Sequence, residues 1–359
     1  MIETHELIAQ QKKVLALISE RKFETALELI NECIEISRKT ALNYFLKGRI
    51  YDEMLDYSAS IKAYEKCIAR DPNNQKAKFY LSLAYLALEK FESGCRYYKF
   101  RHEPEIFRKF SALKPWSAKV KPGKVLLWSE QGIGDEVMFL RFLPVLETHS
   151  HCFTLQCDQR LIPILEFNYP WLNFTPRGSA LNLTLFNYQL PIGDLLGLFH
   201  KKLSEVSHQF LAVRSNQKVK SLVEIYKGLS LIGLSWLSMS EEYGQRRSWP
   251  VGALLEGLDP HNIVVVALQY LAPQSEIDKI RAMGFQVIDD IDCHQDIDAV
   301  FSIMSHCQKI ITMDNSIAHF AGALGLETEI WLPNLPNWRW GLEKTKTYWY
   351  PSVTLKRFD

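Results

Sequence analysis

Net charge is nearly absent from this chain of 359 residues: Lys and Arg total 42, Asp and Glu 41, and the formal charge is +1. That balance removes the long-range attraction that draws proteins to nucleic acid or to an anionic membrane surface, so neither is expected as the main partner. Long apolar runs are missing too. No stretch reaches the roughly 18 consecutive apolar residues that a membrane-spanning helix needs. The opening MIETHELIAQQKK carries no apolar core behind a basic start, so the expected location is cytoplasmic, without stable membrane insertion. Cysteine is sparse and odd in number, seven residues at 33, 67, 95, 152, 157, 293 and 307, and is read as thiols rather than as a disulfide framework. Patterned metal ligands are also lacking. His149, His151, Cys152 and Cys157 match no common zinc spacing, and a strand over 152–156 sends Cys152 and Cys157 to opposite faces. Asp289, Asp290, Asp292, Asp296 and Asp298 lack the glycine and the closing glutamate of a calcium loop. No metal or other cofactor is expected.

What the chain does contain is apolar material, 47% hydrophobic with 12% aromatic, enough to fill the cores of two or three domains. Residues 7–108 read as three 34-residue repeats, 7–40, 41–74 and 75–108, in which small and large positions recur in register. The eighth position is Val14, Gly48, Ser82 and the eleventh Leu17, Tyr51, Tyr85. The seventeenth is Phe23, Tyr57, Phe91; the twentieth, where two helices touch closely, Ala26, Ser60, Gly94; the twenty-fourth Ile30, Tyr64, Tyr98. Asp71-Pro72-Asn73-Asn74 supplies a helix stop between repeats. The pattern resembles tetratricopeptide repeats, which implies an α-helical solenoid over 1–110 whose concave face commonly takes a peptide or another protein. Two roles stay open for it, recruiting a protein partner or bracing the domain that follows.

After a linker over 111–123, punctuated by Lys114-Pro115-Trp116 and Lys121-Pro122-Gly123, comes KVLLWSEQGIGDEVMFLRFLP, residues 124–144. Val125 to Trp128 suit a buried strand that polar Ser129-Glu130-Gln131 ends. Gly132 and Gly134 allow a tight turn, and Val137, Phe139, Leu140 and Leu143 supply the apolar face of a helix over 135–147. Such a junction presents backbone N–H groups and a positive helix end at the carboxyl edge of a parallel sheet, and Asp135 stands at that edge. GIGDEVMFLRFLP resembles the first loop of the heptosyltransferase-like glycosyltransferases, family 9, and in particular the bacterial branch with tetratricopeptide repeats in front. The aromatic and basic FESGCRYYKFRHEPEIFRKF resembles that branch's domain junction, and Tyr97, Tyr98, Phe100, Phe107 and Phe110 are expected to pack on the first lobe. The resemblance implies a GT-B arrangement of two Rossmann-like lobes, 124–228 on the acceptor side and 229–359 on the nucleotide-sugar side, with Asp135 as the base for an acceptor hydroxyl and Gly132 and Gly134 in the binding loop.

The rest of the chain continues the β-α pattern. Strands are expected at 152–156 and 183–186, with a short helix around Leu161, Ile164 and Leu165, a loop over 187–192, and a charged helical bridge over 200–228. Leu231 to Trp236 reads as a strand with Ser235 at its polar end, 262–269 as another ending at Gln269, and 284–288 as a third. Ile310 to Met313 is a strand, Asp314-Asn315-Ser316 a turn, and Ile317 onward a helix with small residues. Gln245-Arg246-Arg247-Ser248-Trp249-Pro250 resembles the family's basic-x-Trp-Pro element, which assigns Arg247 to the donor pyrophosphate in place of the heptosyltransferases' lysine. Asp-Asn-Ser-x-x-His-x-Ala-Gly-Ala-Leu-Gly over 314–325 resembles the family's donor loop, with Ser316 where many members have glycine. That implies donor binding by Asp314, Asn315, Ser316 and His319, with Ser235 and Gln269 at neighbouring strand ends. The aromatic tail, Pro336-Asn337-Trp338-Arg339-Trp340 and Trp349-Tyr350-Pro351, is expected to pack in the core and dock on the first lobe, with stacking on a base or sugar as the alternative.

The implied activity is metal-independent, inverting transfer of a sugar from a nucleotide sugar to an acceptor hydroxyl, on a protein recruited by the repeat array. A non-catalytic scaffold with a degenerate domain, a lipopolysaccharide transferase and an epimerase of the same two-lobed fold remain alternatives.

Overall fold

The computed structural model describes residues 2–101, 108–238, 247–334, 336–342 and 345–358; Arg246 and Phe107 lie outside them. The chain forms two compact units, Met1–Arg108 with Leu335–Leu342, and Lys109–Asn334 with Glu343–Asp359. Among the described residues no helix is long and apolar enough to cross a membrane.

The first unit is three helix pairs: α1 (Ile2–Ser19) with α2 (Phe23–Ile36), α3 (Ala41–Glu53) with α4 (Tyr57–Arg70), and α5 (Gln75–Ala87) with α6 (Phe91–Tyr98). The second helices begin at repeat-equivalent Phe23, Tyr57 and Phe91. The turn before each is made by a left-handed residue at one repeat position, Arg21, Leu55 and Glu89, with φ of 59°, 61° and 56°. None is glycine, so each turn carries the steric cost of a Cβ in that region. The small repeat positions do what the pattern requires. A Cβ on Gly48 would lie 2.4 Å from the Tyr64 ring, so only glycine lets α3 meet α4 there. Ser82 Oγ donates to Gly94 O at 2.9 Å across the third pair. Val14, Ala26, Ile30, Cys33, Leu46 and Ile50 fill the first core.

The far end of this unit departs from expectation. Trp338 stands edge-on to Tyr98, ring centroids 5.6 Å apart, and Trp338, Arg339 and Trp340 are buried, so this part of the aromatic tail belongs with the repeats. Phe100 likewise lies under Lys78 within the repeat unit. Phe110 does pack as expected, stacked on Trp128 of the first lobe at 4.8 Å.

The second unit holds two all-parallel sheets. The first orders β1 (Lys114–Pro115), β5 (Tyr188–Pro191), β2 (Lys124–Trp128), β3 (Cys152–Cys157) and β4 (Asn173–Pro176) as β1-β5-β2-β3-β4. The second is β11-β10-β9-β6-β7-β8, from β6 (Ser230–Leu234), β7 (Ile263–Ala267), β8 (Gln286–Ile288), β9 (Lys309–Met313), β10 (Thr328–Pro333) and β11 (Val353–Phe358). Helices cover parallel sheets on both faces, which is why Val125, Leu126 and Leu127 are all fully buried.

The structure corrects four sequence expectations. The strand expected at 183–186 is a 3-10 turn, Leu183–Leu185, capped by Asn182. Leu183, with Leu181 and Phe186 on either side of the turn, packs on Phe110, Leu126 and Trp128 instead. The strand is Tyr188–Pro191, in the segment read as a loop. The helix expected over 135–147 is two, Ile133–Leu140 and Leu143–Glu147, because Pro144 has no N–H to continue the first and fits the opening turn of the second. The bridge over 200–228 is helical mainly at Gln217–Ile225. His149 and His151 pack edge-on around Trp116, at 5.6 and 5.7 Å between ring centroids.

Candidate functional site

The carboxyl ends of β2, β3, β4 and β5 deliver Ser129-Glu130, Asp158, Arg177 and Gly193 to one edge of the first sheet. From β2 the chain turns through Gln131, whose φ of 63° is unusual for a residue with a Cβ. Arg177 holds that turn. Its Nη1 donates to Gln131 O at 2.9 Å and its Nε to Ser129 Oγ at 3.2 Å, and it forms an ion pair with Glu136. Glu136 is 1% exposed and also accepts from the Asp158 N–H at 2.9 Å. Burial lowers the Arg177 pKa from its ordinary value, and the charges of Glu130 and Asp135 oppose that. The result is a braced loop that starts the helix Ile133–Leu140. Gly132 is its N-cap, and Asp135 Oδ2 accepts from the Gly132 N–H at 3.2 Å. The carboxylate is thereby fixed at the helix start, partly exposed.

On the second sheet, β9 runs into Asp314 and the helix Ser316–Ala323. Asn315 caps that helix, its Oδ1 accepting from the Ile317 N–H at 3.0 Å. Asn315 Nδ2 donates to Ser235 Oγ at 2.8 Å, Ser235 Oγ donates to Gln269 Oε1 at 3.0 Å, and that oxygen also takes the N–H groups of Trp236 and Leu237. Ser235, Gln269 and Asn315 therefore tie together the ends of β6, β7 and β9. Their polar atoms hold the platform on which the loop sits. Asp314, 6% exposed, pairs with Arg247, Nη1 to Oδ2 3.2 Å. His319, also buried, places Nδ1 3.0 Å from Tyr350 Oη.

The two aspartate-bearing loops come together. A Cβ on Gly134 would lie 2.9 Å from His319 Cδ2 and 3.0 Å from Ser316 Cα, so the helix Ile133–Leu140 meets the helix Ser316–Ala323 where both begin. The close approach is provided by Gly134, which accounts for a serine being accommodated at 316. Arg160 adds a second tie between the lobes: held by Asp158, it donates to His294 O at 2.8 Å.

Of the residues expected from sequence, Gly134, Ser316 and His319 are in direct contact, Asp135 is next in the chain to Gly134, and Arg247 joins Asp314. Arg177, Glu136, Arg160, Arg141 and Tyr350 were missed. Arg141 had a signal, a cation inside the apolar run VMFLRFLP. Arg177 had none, because β4 was not recognised and its neighbours are distant in sequence.

An N-terminal array of helical repeats followed by a GT-B-like glycosyltransferase fold is the class these features define. Residues 41–74 match the tetratricopeptide repeat family model. A glycosyltransferase family 9 structure from Veillonella parvula superposes with a TM-score of 0.51 at 12% identity, covering 67% of this chain and 88% of that one; at that identity the likeness is one of fold. The ADP-heptose lipopolysaccharide heptosyltransferase II of E. coli gives a TM-score of 0.46 at 12% identity over 66% of this chain and 91% of that one. Protein FlbA of Caulobacter vibrioides is 26% identical over 297 residues, 75% of this chain and 49% of that protein. The chain thus spans about half the length of that relative.

Proposed function

We propose that this protein is a glycosyltransferase that moves a sugar from a nucleotide sugar to the hydroxyl of a protein held by the repeat array, in a single inverting displacement that needs no metal. The observation that supports it most directly is the meeting of two helix N-termini at Gly134, which sets Asp135 one residue from the contact with Ser316 and His319. In the proposed step Asp135 takes the acceptor proton as the hydroxyl oxygen bonds to the anomeric carbon. The bond from that carbon to the diphosphate breaks, its electron pair leaves on the phosphate oxygen, and Arg247 with the Ser316 helix N-terminus receives the developing charge. Cation and helix dipole together supply what a divalent ion supplies elsewhere, which is the basis for proposing no metal.

The test has two stages. Full-length protein is screened by thermal shift against UDP, GDP, ADP and CMP and their sugars, and a donor that binds the folded state raises the melting temperature. With that donor and an acceptor, Asp135→Asn is expected to keep donor binding and to lose about two orders of magnitude or more in transfer. Absence of any nucleotide-dependent shift, or full transfer by Asp135→Asn, overturns the proposal.

A further inference from the structure

His319 is held on two sides. Its Cδ2 edge faces Gly134 of the first lobe, and its Nδ1 lies 3.0 Å from the Tyr350 hydroxyl in a contact buried from solvent. The phenol is itself fixed. Tyr350 is fully buried, and a Cβ on Gly322 would stand 2.4 Å from its ring, so the ring lies over the helix one turn beyond His319 in space that only a glycine leaves. The peptide before it is anchored to the first lobe. Arg141, with no exposed surface, donates to Trp349 O at 2.5 Å and to Tyr348 O at 3.3 Å. The Trp349 ring packs edge-on against Phe139 and Phe142, each at 6.2 Å. The helix Ile133–Leu140, which carries Asp135 in its first turn, therefore ends at the arginine that clamps the residues carrying the phenol to His319.

We propose that Tyr350 is the positioning residue of His319. Its O–H donates to Nδ1 and so keeps the neutral ring in the tautomer with the proton on Nε2, the nitrogen adjoining the Cδ2 edge at Gly134. This deepens the glycosyltransferase reading and rests on it: the oriented Nε2–H is a donor to the diphosphate of the nucleotide sugar.

Tyr350→Phe keeps the ring over Gly322 and removes only the hydroxyl. Nitrogen-15 imidazole spectra of the full chain, with the His319 signals identified by their loss in His319→Gln, are expected to show a single Nε2–H tautomer. The Tyr350→Phe spectrum is expected to show a mixture. With the donor found by thermal shift, Tyr350→Phe should weaken donor binding about tenfold, the scale of one lost hydrogen bond, and should add no further loss in a His319→Gln background. An unchanged tautomer, or an equal loss in both backgrounds, overturns the positioning role and leaves the glycosyltransferase reading standing. Wild-type protein that binds no nucleotide sugar overturns that reading and this one with it.

Discussion

The Arg247–Asp314 pair places two demands on one guanidinium. Arg247 neutralises a carboxylate that is 6% exposed, and in the proposed reaction it also meets the diphosphate. A fork of five donors can serve both, whereas an ammonium serves them less well. Arg247→Ala is expected to weaken nucleoside diphosphate binding by about 1–3 kcal/mol, the range for a lost charge-assisted contact, and to lower the melting temperature because the ion pair with buried Asp314 is removed. Arg247→Lys should recover the stability more fully than the affinity. Calorimetric titration showing undiminished affinity in Arg247→Ala would remove the residue from the donor site. Both partners were legible in sequence, Asp314 from a local strand-turn-helix signal and Arg247 from a stretch that resembles the family's basic-x-Trp-Pro element. Their partnership was not legible, since nothing local connects β9 to the loop before Trp249. The same limit explains Gln269 and Ser235. Sequence placed them correctly at strand ends, and the fold then committed their polar atoms to each other and to backbone N–H groups.

At the scale of elements, the helices of the middle repeat enclose an unexpected charge. Asp52 accepts hydrogen bonds from Ser60 Oγ and, at 2.5 Å, from Tyr64 Oη, with Arg49 stacked on Tyr80 nearby. Burial raises the Asp52 pKa from 3.8 to about 7, while its two hydroxyl partners and Arg49 oppose the rise. A carboxyl with a raised folded-state pKa binds its proton more tightly in the native state, so its contribution to stability is complete below the unfolded value of 3.8 and is lost as pH rises through about 7. Asp52→Asn, a neutral stand-in for the protonated acid, should therefore raise the melting temperature of the repeat unit at about pH 8 and raise it clearly less at about pH 5. An equal shift at both pH values would mean that ionisation of Asp52 is not what burial resists. Sequence showed where the helices lie, because caps, turns and small positions repeat at fixed spacing. It did not show this network, since Ser60 occupies a small-residue position where only its size was read. Arg141 is the counterpart in the second unit: in sequence it marks only an interruption in an apolar helix, and the fold reveals the carbonyls of Leu203, Val206 and Trp349 that receive it.

Across the whole molecule, the order of the chain and the division into units do not coincide. After β10 the chain contributes Leu335–Leu342 to the repeat unit, then returns to the second unit for β11. An array of helix pairs leaves the apolar face of its last pair uncovered, and repeat proteins close that face with a cap of different sequence. Here the cap for α5 and α6 is a 3-10 turn, Trp338–Trp340, from a distant part of the chain, with Trp338 against Tyr98 and 7% exposed. The sequence offered tryptophans at the tail but no way to choose their partner, because aromatic density fixes burial and not address. Trp338→Ala should cost the repeat unit about 3–5 kcal/mol, as for other large-to-small changes at buried tryptophan. Hydrogen exchange would locate the loss. Amides of α5 and α6 should exchange faster, those of α1 and α2 less so because neighbouring repeats transmit stability one interface at a time, and those of β2, β6 and β9 hardly at all. Uniform loosening of both units would show that the turn stabilises the molecule as a whole, and unchanged exchange in α5 and α6 would show that Trp338 does not cap the array.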